Sequence, residues 1–290
     1  TFDLGAEDGK SRAAIQAKGK GRVYLDFVIQ LHRLLTDKYG KRVMFWGDIV
    51  LHHPELIPDI PKDMIVLNWD YSAKDRFPQV DPFADSGLEQ IICPSTNSYN
   101  GVFPRVDDSW ANVAHFMRDG RAVGALGMLN TDWGDGGHYN LLGCSYYGYA
   151  HGADASGAAR PLTRDAFDAI LGPVLFGAAG DRAVTAIRTL GRLAGTPKDF
   201  HPSGSVTIDL LFNTPMGEDP RVRDLPAELL ADFAATGDDA AAVWRAAAAE
   251  SYEPDALLDM AWAAQAIAYG ARKTAFLQEI MDLAESKGGD

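Results

Sequence analysis

Apolar positions fall at helical spacing from Gly21 to Tyr39, where Val23, Phe27, Leu31, Leu34 and Leu35 line one side and Gly40 supplies a stop. The pattern then changes. Arg42–Trp46, Met64–Trp69, Glu89–Cys93 and Ala122–Leu129 are short and almost continuously apolar, as strands covered on both faces are. Between them, "HHPELIPDIPKD" holds too many prolines for a long helix. Trp110–Asp119 puts Val113, Phe116 and Met117 on one helical face, and Gly120 ends it. Residues 1 to 20 read as a loop with a short helical turn. Strands separated by helices or long crossovers predict a parallel α/β arrangement, whose functional ends are the C-terminal ends of its strands.

Beyond Gly143 the strand signal stops. Helices are predicted over Pro161–Phe176, Asp181–Leu193, Leu225–Ala234, Ala240–Ser251 and Pro254–Ala284. The last carries Leu258, Trp262, Ala266, Tyr269, Phe276 and Ile280 on one stripe, long enough to pack along a barrel's outside or to form a homodimer contact. The pattern divides the chain into residues 1–150 and a helical extension, 151–290.

Composition narrows the classes of function. With 290 residues, 47% hydrophobic and 23% charged, the chain is of ordinary globular make-up. Its formal charge of -13 opposes nucleic acid or an anionic membrane as a partner. Cys93 and Cys144 are too few for a disulfide scaffold or a thiolate metal site. No stretch reads as a membrane span or signal peptide, and a cytoplasmic location is the expectation. Neither a zinc-helix, calcium-loop, phosphate-loop or dinucleotide motif nor a serine elbow occurs. Metals and cofactors are therefore not expected, and the chemistry would run on carboxylates.

Three apolar runs break off into Trp and Asp: "FWGD", "LNWDY" and "NTDWGDGGH". Residues two apart on a strand share a side, so Trp46 can stand beside Asp48, Trp69 beside Tyr71, and Trp133 beside Asp135. Aromatic plates stack on the apolar faces of sugar rings, while carboxylates accept hydrogen bonds from ring hydroxyls. Each Trp alone reads more readily as a core residue, and Asp beside Gly as a turn. The recurrence at three strand ends brings a ligand pocket level with that reading. "CPSTNSYNGVFPRVDD" adds Tyr99 as a hydroxyl donor, Asn97 or Asn100 as an orienting amide, and Arg105 as a ligand group or a clamp paired to Asp107 or Asp108.

At "RVMFWGD", "LNWDY", "CPSTNSYNG" and "GMLNTDWGDGGH" the chain resembles the family 20 glycoside hydrolases, the β-N-acetylhexosaminidases, and most closely a bacterial branch of them. The resemblance covers about residues 1 to 150. It implies that these segments follow strands five to eight of a (β/α)8 barrel, in an enzyme that releases terminal β-linked N-acetylhexosamine with retention. There the substrate's own acetamido carbonyl attacks the anomeric carbon, an exception to the two-carboxylate scheme. Trp46, Trp69 and Trp133 would wall the hexosamine, Tyr99 would touch the acetamido oxygen, and Asp135 would hold outer hydroxyls, where many members have Glu. The resemblance puts the catalytic Asp-Glu pair directly before Thr1, with Asp3 and Glu7 in the loop after it. The other readings are an amino-sugar-binding or regulatory protein that keeps the aromatic box without the acid, and aromatics that merely cap a core.

Overall fold

The computed structural model describes residues 9–197, 204–216 and 222–287. Thr1, Asp3 and Glu7 lie outside these. The chain forms two compact units, residues 1–94 with 114–130 and residues 95–113 with 131–290. The boundary expected at residue 150 falls inside the second.

In the first unit, α1 (Gly9–Lys18) and α2 (Lys20–Tyr39) precede β1 (Met44–Trp46). The N-terminal stretch is thus more helical than its Gly and Lys content suggests. Gly40 ends α2 in the left-handed conformation, with its N–H bonded to Thr36 O. A short helix α3 (Asp48–Leu51) and a 3-10 helix (Pro54–Asp59) lead to β2 (Ile65–Trp69). Then come α4 (Val80–Asp85), β3 (Glu89–Cys93), α5 (Val106–Ala122), whose residues 106–113 belong to the second unit, and β4 (Gly127–Met128).

The four strands are parallel and run in the order β1-β2-β3-β4. Side chains alternate, so Phe45, Val66, Asn68, Gln90 and Ile92 point to one face. Helices and connections cover that face from end to end. Leu25, Val28, Val50, Ile57 and Phe83 pack with Val66, while Phe77, Val80, Phe116 and Met117 pack with Ile92. The two polar residues on it are satisfied in part by each other, Asn68 Nδ2 donating to Gln90 Oε1 at 2.9 Å and Gln90 Nε2 to Val80 O at 2.9 Å. An unreversed strand order with crossovers on one face is a barrel-like arrangement, since a doubly wound sheet reverses its order and places helices on both faces. The opposite face carries Trp46 and Trp69, both half-buried, and Met44, which is exposed.

β4 is much shorter than the predicted strand. α5 continues to Ala122, and the turn at Gly124 (φ 74°) uses up the next residues, leaving Val123 and Ala125 to pack against the core beside Ile92.

The second unit is helical: a 3-10 turn (Leu142–Ser145), α6 (Tyr146–Gly157), α7 (Arg164–Phe176), α8 (Gly180–Leu193), α9 (Val206–Phe212), α10 (Ala227–Ala248) and α11 (Pro254–Lys287). Its core gathers Phe103, Phe176, Ile187, Leu190, Phe233, Trp244, Leu257, Met260 and Ile267. Sequence periodicity missed α6 and α9 and split α10 at Gly237. Arg164–Leu193 is long and apolar enough to cross a membrane, contrary to the sequence reading. It is broken between α7 and α8 at Gly177 (φ 64°), and Phe167, Leu171, Phe176, Val184, Ile187 and Leu190 belong to the core.

Candidate functional site: two loops with left-handed residues

The segments 95–101 and 131–138 come together in the second unit. Ser95 and Thr131 form a parallel bridge, Thr96 N donates to Thr131 O at 3.0 Å, and Asn100 N donates to Asp135 O at 3.2 Å. The sequence of the second segment follows from this closeness. A Cβ at Gly134 would lie 2.3 Å from the His138 ring, and one at Gly136 (φ 74°) 2.3 Å from Asn100 Oδ1. Among the described residues, the non-glycine residues with left-handed backbone are Asn97 (φ 55°), Asn100 (φ 48°) and His138 (φ 57°), and all three belong to these two segments. Such conformations cost free energy and persist where the surroundings enforce them.

Behind the segments sits a carboxylate that sequence reasoning missed. Asp132 Oδ1 accepts from Thr96 Oγ1 at 2.5 Å and from Ser145 Oγ at 2.9 Å, and its Oδ2 accepts from Tyr149 Oη at 2.5 Å. Ser98 Oγ closes the network, 2.8 Å from Ser145 Oγ and 2.9 Å from Thr96 Oγ1. Burial and the bond to Asp132 push the Tyr149 phenol up, so it stays a neutral donor. Three hydroxyls thus hold the residue that precedes Trp133, and Trp133 itself is 40% exposed. The signal was present in "TDWGD", where Asp132 adjoins the Trp as Asp135 follows it.

The proposed ligand groups divide by burial. Asp135 is exposed, Tyr99 is half-buried, and burial pushes the Tyr99 phenol up, keeping it a donor at neutral pH. Asn97 is only 1% exposed. Its Oδ1 accepts from Arg105 Nη2 at 3.4 Å and its backbone O from Arg105 N at 3.1 Å, so its carbonyl group supports the loop from within. Arg105 is the clamp, but not through Asp107: its Nη1 donates to Tyr99 O at 3.0 Å, and its guanidinium lies 4.5 Å from the Tyr99 ring centroid. Asp107 instead pairs with Arg164 and Arg192. Burial lowers the Arg105 pKa from its very high ordinary value, and the neighbouring Tyr99 and Asp108 oppose that shift.

The remaining proposed residues belong to the first unit. Trp46 and Trp69 share one face of the sheet, and Trp69 packs on Tyr71 with ring centroids 4.9 Å apart, as their spacing predicts. Asp48 does not continue the alternation of β1, because the strand ends at Trp46 and Asp48 opens α3. Among the described residues no group of His, Cys, Asp and Glu is arranged to hold a metal ion.

Two clefts lie on helices of the second unit and include none of these loop residues. One, of about 400 Å³, lies between α8 and α10 beside Asp181, Thr185 and Ala240; the other, of about 480 Å³, lies between α7 and α8 beside Asp168 and Arg188. Arg188 Nη1 already donates to Asp168 at 2.8 Å and to Asp165 at 3.2 Å, and the aspartates and threonines lining the clefts present no strained backbone, so the paired loops remain the stronger candidate. No protein-family model matches the chain, and a search of curated proteins finds no significant relative.

Proposed function

We propose that the chain carries strands five to eight of a (β/α)8 barrel of family 20 glycoside hydrolase type, and that it works as a retaining exo-β-N-acetylhexosaminidase. The observation that carries this reading is the concentration of left-handed residues in two interlocked loops that present Tyr99, Trp133 and Asp135. Trp133 supplies a stacking face for the sugar ring, the Tyr99 hydroxyl donates to the acetamido carbonyl oxygen, and the Asp135 carboxylate accepts from outer ring hydroxyls. Within the first unit, Trp46 and Trp69 with Tyr71 are stacking surfaces of the same chemistry, and Asp48 is an acceptor.

In the reaction, the acetamido oxygen forms a bond to the anomeric carbon as the glycosidic C–O bond breaks, and the leaving oxygen takes a proton from a glutamic acid. Water then attacks the anomeric carbon from the face that the leaving group left, breaking its bond to the acetamido oxygen and giving a proton to the glutamate, so the configuration is retained. The proposal assigns the proton transfer to the Asp-Glu pair that the resemblance puts ahead of Thr1, and none of it to Asp135. A carboxylate that only accepts from hydroxyls acts through binding that tightens in the transition state.

Hydrolysis of a chromogenic N-acetylglucosaminide and of the matching glucoside by the full-length protein, with the Asp-Glu pair present, tests this; residues 1–290 alone should cleave neither. Only the acetamido substrate should be cleaved, and Trp133→Ala should lower kcat/KM by roughly tenfold or more. Equal cleavage of both substrates would overturn the proposal. Binding of N-acetylhexosamine without turnover would replace it with the non-catalytic amino-sugar reading.

A further inference from the structure

The helices of the second unit turn different surfaces outward. α10 exposes alanines and charged residues, among them Asp232, Asp238, Asp239 and Arg245, and α8 exposes Asp181, Arg182, Thr185, Thr189 and Arg192. α11 does the opposite. Its Ala263, Ala264, Ile267, Ala268 and Ala271 are buried, whereas Leu258, Trp262, Tyr269, Phe276, Ile280 and Leu283 are 38% to 61% exposed. At roughly 200 Å² for a large side chain, six of them half exposed leave on the order of 600 Å² of apolar surface. That is the upper end for the largest patch on a monomer, and most of the roughly 800 Å² that each partner contributes to a stable complex.

Trp262, Tyr269, Phe276 and Leu283 are each seven residues apart. A seven-residue repeat keeps these side chains in one line along a partner helix wound with a left-handed supercoil, while Gln265, Arg272 and Glu279 at the alternate seam positions are polar. We infer that this seam is a homodimer interface, in which α11 of one protomer packs antiparallel on α11 of its partner about a twofold axis between Tyr269 and Phe276.

The side chains fit that arrangement. A centre between Tyr269 and Phe276 sets Trp262 opposite Leu283 and Tyr269 opposite Phe276. Glu279 then meets Ala266, and Gln265 meets Ile280. The cations near the axis are engaged by their own chain: Arg272 pairs with Asp238, and Lys273 Nζ donates to Leu211 O and Asn213 O, each at 2.8 Å. A parallel pair would instead stack Glu279 on Glu279 and Arg272 on Arg272, which is repulsive. Closed twofold dimers are also the commonest assembly of a single chain.

Light scattering after size exclusion, across protein concentrations from about 1 to 100 μM, reads the assembly, and the double variant Tyr269→Glu/Phe276→Glu probes the seam. Both positions are exposed in the protomer, so the variant should stay folded, with an unchanged circular dichroism spectrum and melting temperature. A dimeric wild type and a folded monomeric variant are the expected results. As a second variant, Gln265→Cys/Ile280→Cys should form two disulfides between protomers under mild oxidation, because Cys93 and Cys144 are buried and do not compete. A wild type that is monomeric throughout overturns the inference. So does a dimer that survives the charged substitutions, or one that the cysteine pair fails to cross-link.

Discussion

His151 is a pH-dependent liability inside the helical unit. It is 2% exposed, stacks on Trp110 with centroids 3.6 Å apart, and meets Phe167 edge to face. Burial, with help from the Arg164 charge, lowers its pKa from 6.5 to about 3. The folded state therefore cannot take up a proton that the unfolded chain binds below pH 6.5. Stability is full above that pH and falls as pH drops from 6.5 towards 3, by up to about 1.4 kcal/mol per unit. Urea unfolding at pH 7.5 and pH 5.0 should show the wild type losing roughly 2 kcal/mol more than His151→Phe, which keeps the stack and removes the titration. Equal losses would mean that the imidazole is protonated without cost.

Residues like these were the least legible part of the sequence. Tyr99, Trp133 and Asp135 were singled out because their loops follow apolar runs, a one-dimensional signal. Asp132 was passed over because its partners Thr96, Ser145 and Tyr149 come from three separate segments. Asn97 was named as an orienting amide because its loop follows the third strand, and the sequence did not show that Arg105 engages its carbonyl group.

At the scale of elements, β3 was read to the residue and β2 to within one, since continuous apolar runs bounded by turns leave little choice. α10 was read as two helices because "ATGDD" looks like a break. The helix continues because Gly237 allows α11 to approach: a Cβ there would lie 2.6 Å from Ala264 O and 3.0 Å from Ala268 Cβ. Two effects compete in Gly237→Ala. Helix propensity favours alanine by up to about 1 kcal/mol, but a backbone carbonyl cannot rotate away, and overpacking costs about 1 to 3 kcal/mol. The clash should win, and the melting temperature should fall by several degrees, roughly the shift expected for 1 kcal/mol or more. Gly157→Ala in α6 meets nothing within 4 Å and serves as the control. A Gly237→Ala protein that melts higher than the wild type would show that the two helices are not held this closely.

The stripe on α11 shows a different limit. Its spacing was correctly seen as a single face, but a hydropathy pattern does not say which face is inside. In a helix this rich in alanine, the small residues Ala263, Ala264, Ala268 and Ala271 do the close packing, and the large ones are left outside.

For the whole molecule, the order of strands and then helices was legible, because hydrophobic period changes from continuous runs to helical spacing near Gly143. The grouping into units was not, because it depends on which segments touch: residues 95–113 and 131–150 belong with the helices although they alternate with the strands in sequence. The units also differ in how their cores are built. The helical unit has one large continuous core, to which Ile187, Trp244 and Ile267 contribute with no exposure, while the strand unit divides its buried residues between two smaller clusters. Its β1 is bonded only to β2 among the described residues, and β4 has only two residues. Local opening is cheapest where few apolar contacts are lost. Amide exchange should therefore be slowest at Ile187, Trp244 and Ile267, and roughly a hundredfold faster at the hydrogen-bonded amides of β1 and β4. Exchange in β2 and β3, which are paired on both sides, should fall between these limits. If β1 and β4 proved as protected as α10 and α11, the two cores of the strand unit could not account for its stability, and opening would have to be cooperative across the whole chain.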